Sequence, residues 1–156
     1  MSGRGDVESP ALDEIDKSII RELQVDGRAA YSRLAPLVGL SEAAVRQRVN
    51  RLQDRGVIQI VAVTDPVSLG YPIMAMLGVK ISRAVDTGAE KISQIDEVDY
   101  TVITTGRFDV LAEVVCRDTD HLLELSNQIR DVDGVSDVEV MTYLRMVQQN
   151  YDWGTN

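Results

Sequence analysis

The spacing of apolar residues changes once along this chain, and that change limits what the chain can fold into. Before residue 56 apolar positions recur at i, i+3 and i+4, which is typical of amphipathic helices. After residue 73 they form strand-like runs that alternate with short helical stretches. Residues 65–72 contain two prolines and a glycine, a composition typical of a connector. The sequence therefore predicts an α+β chain with a helical domain over residues 1–64, a linker, and a second domain over residues 73–156.

The first part of the chain has the spacing of a helix-turn-helix. A first helix is expected to end at Gly27, because glycine adopts the left-handed conformation of a helix C-terminus at low cost. A short second helix is expected over residues 32–38, and Ser41 is a natural N-cap for a third helix that ends near Arg55. Residues 57–64, Val-Ile-Gln-Ile-Val-Ala-Val-Thr, are rich in β-branched side chains and predict a strand. Together these elements predict a winged helix-turn-helix domain.

A helical wheel of the third helix separates an apolar face from a polar one. Val45, Val49 and Leu52 fall within about 60° of one another, which fixes the buried side. The opposite side and its flanks carry Ala43, Arg46, Gln47, Asn50 and Arg51. Arginine, glutamine and asparagine have planar hydrogen-bonding groups that read guanine or adenine edges in the major groove of DNA. Arg48 lies nearer the buried edge, so we expect it to bind a phosphate or an internal acid.

The formal charge of the chain is divided unevenly between its two parts. The chain has 16 Lys and Arg against 25 Asp and Glu, a net charge of −9. Residues 1–64 hold 9 residues of each sign, whereas residues 65–156 hold 7 basic and 16 acidic residues. Within the neutral part, residues 41–55 hold 4 basic and 2 acidic residues, a net charge of +2. The acidic total disfavours a protein that coats nucleic acid with its whole surface, but it leaves a local DNA-reading helix open.

The second part of the chain has the element order β-α-β-β-α-β. Strands are predicted over residues 73–82, 100–105, 110–116 and 135–147, and helices over residues 89–95 and from residue 118 or 119 to residue 130. This order packs two helices on one face of a four-stranded antiparallel sheet, a ferredoxin-like fold. The strands are apolar on both faces, as residues 74–79 (Met-Ala-Met-Leu-Gly-Val) illustrate. We therefore expect the uncovered faces of two chains to pack together in a homodimer.

The sequence also disfavours several classes of protein. The chain has one cysteine, Cys116, and one histidine, His121, which excludes a disulfide framework and a multi-thiolate zinc site. Cys116 falls in a predicted buried strand and His121 is expected on a helix surface, so no nucleophile–base pair is indicated. Residues 1–10 are polar and no apolar run approaches the ~18 residues of a membrane span. We expect a cytoplasmic protein that is not an enzyme and has no metal, no cofactor and no membrane partner.

Several short motifs occur in an order that resembles the Lrp/AsnC family of feast-or-famine transcription regulators. In the first part they are Leu12-Asp13-x-x-Asp16, Asp26-Gly27-Arg28, Leu34-Ala35-x-x-Val38-Gly39-Leu40-Ser41, Val45-x-x-Arg48-Val49-x-Arg51-Leu52 and Gly56-Val57-Ile58. In the second part they are Thr105-Gly106-x-x-Asp109 and Asp133-Gly134-Val135. The resemblance extends over about residues 12–149.

The resemblance implies a regulator that binds double-stranded DNA through its first domain. Its second domain would dimerise, often assemble further into octamers, and bind a small effector, typically an amino acid, between subunits. The implied DNA-binding residues are Ser41, Ala43, Arg46, Gln47, Arg48, Asn50 and Arg51. The implied effector-binding residues are Tyr100, Thr104, Thr105, Gly106, Asp109, Val138 and Val140.

Five residues qualify what the resemblance implies. Gly106 would let backbone N–H groups approach a carboxylate and Asp109 would face an ammonium group, although both residues also suit a β-hairpin turn without a ligand. Hydroxyl residues are frequent in the family where Val138 and Val140 stand, which favours an apolar or aromatic effector. Gln47 stands where the family is often basic, which shifts the expected base preference towards adenine.

One alternative function stays open beside DNA-binding regulation. A small-molecule-sensing or protein-docking module that has lost DNA binding would have the same second domain. Such a module would not need arginines on the outer face of its third helix. Arg46 and Arg51 therefore favour the DNA-binding regulator.

Overall fold

The computed structural model describes residues 12–149, which form two compact units. Residues 12–62, together with 148–149, make up the first unit, and residues 63–147 make up the second. The first unit contains α1 (Glu14–Val25), α2 (Tyr31–Leu37) and α3 (Glu42–Asp54). The second contains a short 3₁₀ helix (Val67–Leu69), β1 (Ile73–Ile81), α4 (Val85–Ile92), β2 (Val98–Ile103), β3 (Val110–Cys116), α5 (Thr119–Arg130) and β4 (Val135–Thr142). None of these helices has the length and apolarity needed to cross a membrane.

The three helices of the first unit enclose one apolar core. Each contributes fully buried side chains, among them Ile19 of α1, Leu34 of α2 and Val49 of α3. Burial of such a side chain contributes about 1.5–3 kcal/mol. The Ser41 hydroxyl accepts a hydrogen bond from the Ala44 N–H at 3.2 Å, so the predicted N-cap of α3 is confirmed. These contacts confirm the predicted helix-turn-helix.

The end of α1 differs from the prediction. Its C-cap is Asp26 in an extended conformation, and Gly27 does not have a positive φ. The Asp26 carboxylate accepts a hydrogen bond from the Arg28 N–H at 2.9 Å. This Asx turn redirects the chain, so the left-handed glycine expected at this position is not required.

Residues 57–64 were expected to form the strand of a wing, and they form no strand in the structure. Ile60, Val61 and Val63 have exposed side chains. A high β-propensity reflects how well a side chain fits between neighbours on a sheet, and the described residues supply no neighbouring strand here.

The predicted linker contains the 3₁₀ helix Val67–Leu69, and the predicted domain limits on either side of it stay a prediction.

The second unit is built on a four-stranded antiparallel sheet in the order β2-β3-β1-β4. Leu77 of β1 lies opposite Ala112 of β3 and Val140 of β4. Residues directly opposite one another in antiparallel strands point to the same face. The face that includes Leu77 packs against α4 and α5 and, with Ile92 and Ile129, forms the core. The predicted ferredoxin-like, α+β fold is therefore confirmed.

Several element boundaries in the second unit differ from the prediction. Helix α4 covers Val85–Ile92 rather than residues 89–95, and it includes Gly88, where an added Cβ would lie 2.8 Å from the Ile81 side chain. Strand β2 ends at Ile103 because Thr104 begins a turn that is hydrogen-bonded to Asp109. Strand β4 ends at Thr142 rather than at residue 147, and just beyond its end the Tyr143 N–H donates to the Met74 carbonyl at 2.8 Å.

The two residues with the most reactive side chains are both buried. Cys116 is buried as predicted, and burial raises the pKa of its thiol, with smaller contributions from the charges of Glu97 and Asp118. His121 was expected on the surface, but it is only 9% exposed. It lies four residues before the buried Leu125 and therefore on the same face of α5. Its Nδ1 accepts a hydrogen bond from the Arg117 N–H at 3.2 Å, and its Nε2 lies 3.3 Å from Glu97 Oε1.

The junction before β4 generates a prediction about stability. Gly134 has a φ of +91°, and an added Cβ would lie 2.8 Å from the carbonyl oxygen of Arg83. The substitution Gly134→Ala should therefore lower the free energy of unfolding by about 2–3 kcal/mol. Chemical denaturation followed by circular dichroism measures this change.

Gly106→Ala is the matched control for Gly134→Ala. An added Cβ at Gly106 has no atom within 4 Å, and Gly106 does not have a positive φ. Its free energy of unfolding should change by less than about 0.5 kcal/mol. Equal destabilisation by the two substitutions would contradict the argument from backbone conformation.

Candidate nucleic-acid interface and effector site

The outer side of α3 carries three exposed side chains without formal charge. Ala43, Gln47 and Asn50 lie together there, opposite the buried Val45 and Val49. The small Ala43 side chain permits close approach, and the two amides offer paired donors and acceptors. This is the arrangement needed to read base edges in the major groove.

Arg46 is held beside this face by two contacts. Its Nη2 lies 2.8 Å from Glu42 Oε1, one turn earlier on α3. Its guanidinium carbon lies 5.3 Å from the centre of the Tyr31 ring, which is a cation–π distance. The Ser41 hydroxyl is occupied by the N-cap hydrogen bond to Ala44. Arg46 and Ser41 therefore each have a hydrogen-bonding partner within the chain, and Arg46 remains exposed.

Arg48 binds an internal acid, which was one of its two expected partners. Its Nη1 lies 2.7 Å from Asp13 Oδ2 and 2.8 Å from Asp16 Oδ1. Asp13 also caps α1, because its other oxygen accepts the Asp16 N–H at 2.7 Å. That backbone hydrogen bond, followed by the Arg48 guanidinium, lowers the pKa of the Asp13 carboxyl. The same two carboxylates raise the pKa of Arg48.

Arg51 also contacts Asp16, which the sequence-based prediction did not anticipate. Its Nη2 lies 3.0 Å from Asp16 Oδ1 and 2.9 Å from Asp16 Oδ2. Asp16 is 3% exposed, whereas the Arg51 side chain is 45% exposed. The sequence did contain a signal, since Asp13 and Asp16 share the i, i+3 spacing of Arg48 and Arg51.

The turn between β2 and β3 holds most of the effector-binding candidates. The Thr104 N–H donates to the Asp109 carbonyl at 2.9 Å, and the Thr104 hydroxyl donates to the Phe108 carbonyl. Asp109 Oδ2 accepts the N–H of Ile81 at 2.8 Å, so this carboxylate already has a partner in the chain. Thr105 and Gly106 are exposed at the tip of the turn.

Val138 and Val140 do not lie on the same face of the sheet as Tyr100, another of the residues predicted to bind the effector. Val138 lies opposite Val79 on the face covered by the helices and is 6% exposed. Val140 packs against the same core. Tyr100 lies opposite Glu113 on the other face of the sheet and is exposed. The strand register determines this difference, because neighbouring residues of one strand point to opposite faces.

The face of the sheet opposite α4 and α5, here called the open face, carries apolar side chains. Its half-buried members include Met74, Met76, Val102, Leu111, Val115 and Met141. Phe108 packs over Gly78, where an added Cβ would lie 2.5 Å from the ring. Burial and a hydrogen bond with Glu113 raise the pKa of Tyr143 to about 12.

Further charged residues lie near the turn between β2 and β3, and the sequence-based prediction did not include them. Arg107 Nη2 lies 2.8 Å from Glu139 Oε2, and the Arg107 guanidinium carbon lies 5.2 Å from the centre of the Phe108 ring.

Among residues 12–149, no group of three or more His, Cys, Asp or Glu side chains is arranged to hold a metal ion.

Comparison with known proteins assigns both units. Residues 12–53 match the AsnC-type helix-turn-helix domain, and residues 74–153 match the Lrp/AsnC ligand binding domain. An uncharacterized HTH-type transcriptional regulator of Pyrococcus furiosus is 35% identical over 131 residues, which cover 82% of this chain and 88% of that protein. Regulatory protein AsnC of Escherichia coli is 29% identical over 143 residues, which cover 89% of this chain and 94% of that protein.

A solved structure supports the same assignment. The crystal structure of a transcriptional regulator from Neisseria meningitidis in complex with L-Met has a TM-score of 0.83 and 25% sequence identity. The match covers 93% of this chain and 97% of the Neisseria chain. These similar proteins are all named as regulators, and none of them is named as an enzyme. The chain therefore belongs to the Lrp/AsnC family of transcriptional regulators, and it is a DNA-binding regulator with a ligand-binding domain.

Proposed function

We propose that this regulator reads operator DNA with the outer face of α3. The observation that carries the proposal is the exposed group of Ala43, Gln47 and Asn50, flanked by Arg46 and Arg51. These side chains offer amide and guanidinium donors at the spacing of successive helical turns. Residues 65–156 hold the whole net charge of −9, so the first unit is the part of the chain suited to a polyanion.

Gln47→Ala tests this proposal most directly. The substitution should weaken binding to a selected operator duplex by about 5- to 150-fold, the cost of one lost base contact, and leave binding to a scrambled duplex unchanged. Gln128→Ala is the matched control, because Gln128 is also an exposed helical glutamine but lies on α5 of the second unit. Fluorescence anisotropy on labelled duplexes measures both affinities.

A salt series on the wild-type chain completes the experiment. Affinity should fall as salt concentration rises, because arginine contacts to phosphates release counterions. An affinity that does not depend on salt, or equal effects of Gln47→Ala and Gln128→Ala, would argue against reading by α3.

We further propose that an amino acid is the effector and that it binds at the turn between β2 and β3. The L-Met complex of the Neisseria regulator supports an amino-acid ligand. Thr105 and Gly106 are exposed at the turn and offer a hydroxyl and backbone N–H groups for a carboxylate. The buried Val138 gives no support to an apolar effector contact from β4, and Asp109 would share its carboxylate with the Ile81 N–H.

Thermal-shift measurements with each of the twenty amino acids test the effector proposal. At least one should raise the melting temperature, because a ligand at 100 times its Kd stabilises the fold by about 2.7 kcal/mol. Thr105→Val should reduce that shift by removing the hydroxyl. Thr119→Val is the control, since Thr119 follows the opposite end of β3 from the turn. No shift with any amino acid, or equal loss in both variants, would refute this site.

We also propose that the open face of the sheet forms a homodimer, which would set two α3 helices at a fixed spacing on a two-fold symmetric operator. Both α4 and α5 pack on the other face, so the apolar side chains of the open face have no covering helix among the described residues. Assembly into octamers and a cytoplasmic location also stay proposals for this chain.

Met74→Lys tests the dimer. Light scattering should give the wild-type chain an even multiple of its 17.2 kDa mass, and Met74→Lys, which places a charge on the open face, should shift the mass towards the monomer. Leu123→Lys adds the same charge to an exposed apolar position on α5 and should leave the mass unchanged. A wild-type monomer at micromolar concentration would overturn the proposal.

A further inference from the structure

We propose that Asp16 is a positioning residue for DNA recognition, which orients the guanidinium group of Arg51 on the reading face of α3. The inference rests on the proposed role of that face. It adds a buried residue of α1 that contacts no DNA itself.

The geometry of the contact fixes one edge of the Arg51 guanidinium. Both oxygens of the Asp16 carboxylate accept from Arg51 Nη2, at 3.0 Å and 2.9 Å. Within residues 12–149, Nη1 and Nε of Arg51 make no hydrogen bond, and the side chain is 45% exposed. Because the guanidinium group is planar, an anchored Nη2 restricts the directions in which the other donors point.

Burial makes this anchor rigid. Asp16 is 3% exposed, so its carboxylate has little access to water and depends on charged partners. Arg48 supplies a second partner, at 2.8 Å from Asp16 Oδ1, and is itself held by Asp13 at 2.7 Å. Because Arg48 also balances the negative charge of Asp16, Arg51 can direct its remaining donors outwards.

The cluster also changes how the charge on α3 acts. Asp13 and Asp16 carry two negative charges against the two positive charges of Arg48 and Arg51, so the cluster of four is neutral. The +2 counted over residues 41–55 is therefore offset by two acids on or beside α1. Arg51 would contribute to DNA binding through oriented donors more than through net charge, which favours sequence discrimination over non-specific affinity.

Two substitutions with the same change in charge separate orientation from electrostatics. Asp16→Asn removes the carboxylate that holds Arg51, whereas Asp13→Asn removes one charge from the same cluster and leaves Asp16 and Arg51 in contact. Asparagine is also a good N-cap, so Asp13→Asn should keep the start of α1. Full-length variants are titrated against a selected operator duplex and a scrambled duplex across a salt series.

Both variants should bind the scrambled duplex more tightly, with a salt slope steeper by about 0.9 if one more phosphate contact forms. Only Asp16→Asn should lower the ratio of operator to scrambled affinity, by about tenfold or more. In an Arg51→Ala background, Asp16→Asn should no longer change that ratio, because the group it orients is absent.

Several outcomes would overturn the inference. Equal ratios of operator to scrambled affinity for Asp16→Asn and Asp13→Asn would mean that Asp16 acts only through its charge. An undiminished effect of Asp16→Asn in the Arg51→Ala background would mean that Asp16 does not act through Arg51. If Asp16→Asn does not fold, Asp16→Glu keeps the charge and moves the carboxylate; it should lose discrimination while scrambled affinity stays unchanged. Failure of both variants to fold would assign Asp16 to stability alone. Absence of operator preference in the wild-type chain would instead refute the proposed reading face.

Discussion

The pairing of β1 with both β3 and β4 is the constraint on which the geometry of the second unit depends. It places Leu77 opposite Ala112 and Val140, and a shift of one residue would turn each of these side chains to the other face. With this register Val140 packs into the core, and Glu139 and Met141 belong to the open face. The surface available to an effector or to a second subunit is therefore determined by the register of β1.

The end of β1 also explains the structure of the turn between β2 and β3. Strand β1 continues to Ile81, beyond the Val79–Val110 pair that ends its ladder with β3, so its last residues lack regular ladder partners from β3. Asp109 replaces one of them, because its carboxylate accepts the Ile81 N–H at 2.8 Å while its own N–H donates to Val79. The last residue of the Thr105-Gly106-x-x-Asp109 motif thus has a structural function that is independent of any ligand.

The first unit combines two kinds of interaction with different consequences. Its apolar core, formed by side chains such as Ile19 and Val49, holds the helices together through non-directional burial. The contacts of Asp16 with Arg48 and Arg51 are directional, and a buried ion cluster of this kind contributes little net stability because desolvation opposes it. What the cluster does supply is a defined orientation for polar side chains on α3.

The sequence by itself determined most of the segments that become helices and strands, because apolar period, caps and turn residues act between near neighbours in the chain. It also located the polar face of α3 and the order of the four strands. Only the tertiary structure decided which side chains meet. Arg51 and Asp16 are 35 positions apart, so the i, i+3 spacing shared by the two acids and the two arginines could not by itself establish that they meet. Val138 faces the core through its register with β1, and residues 57–64 form no strand because strand formation requires a neighbouring strand as well as a suitable sequence.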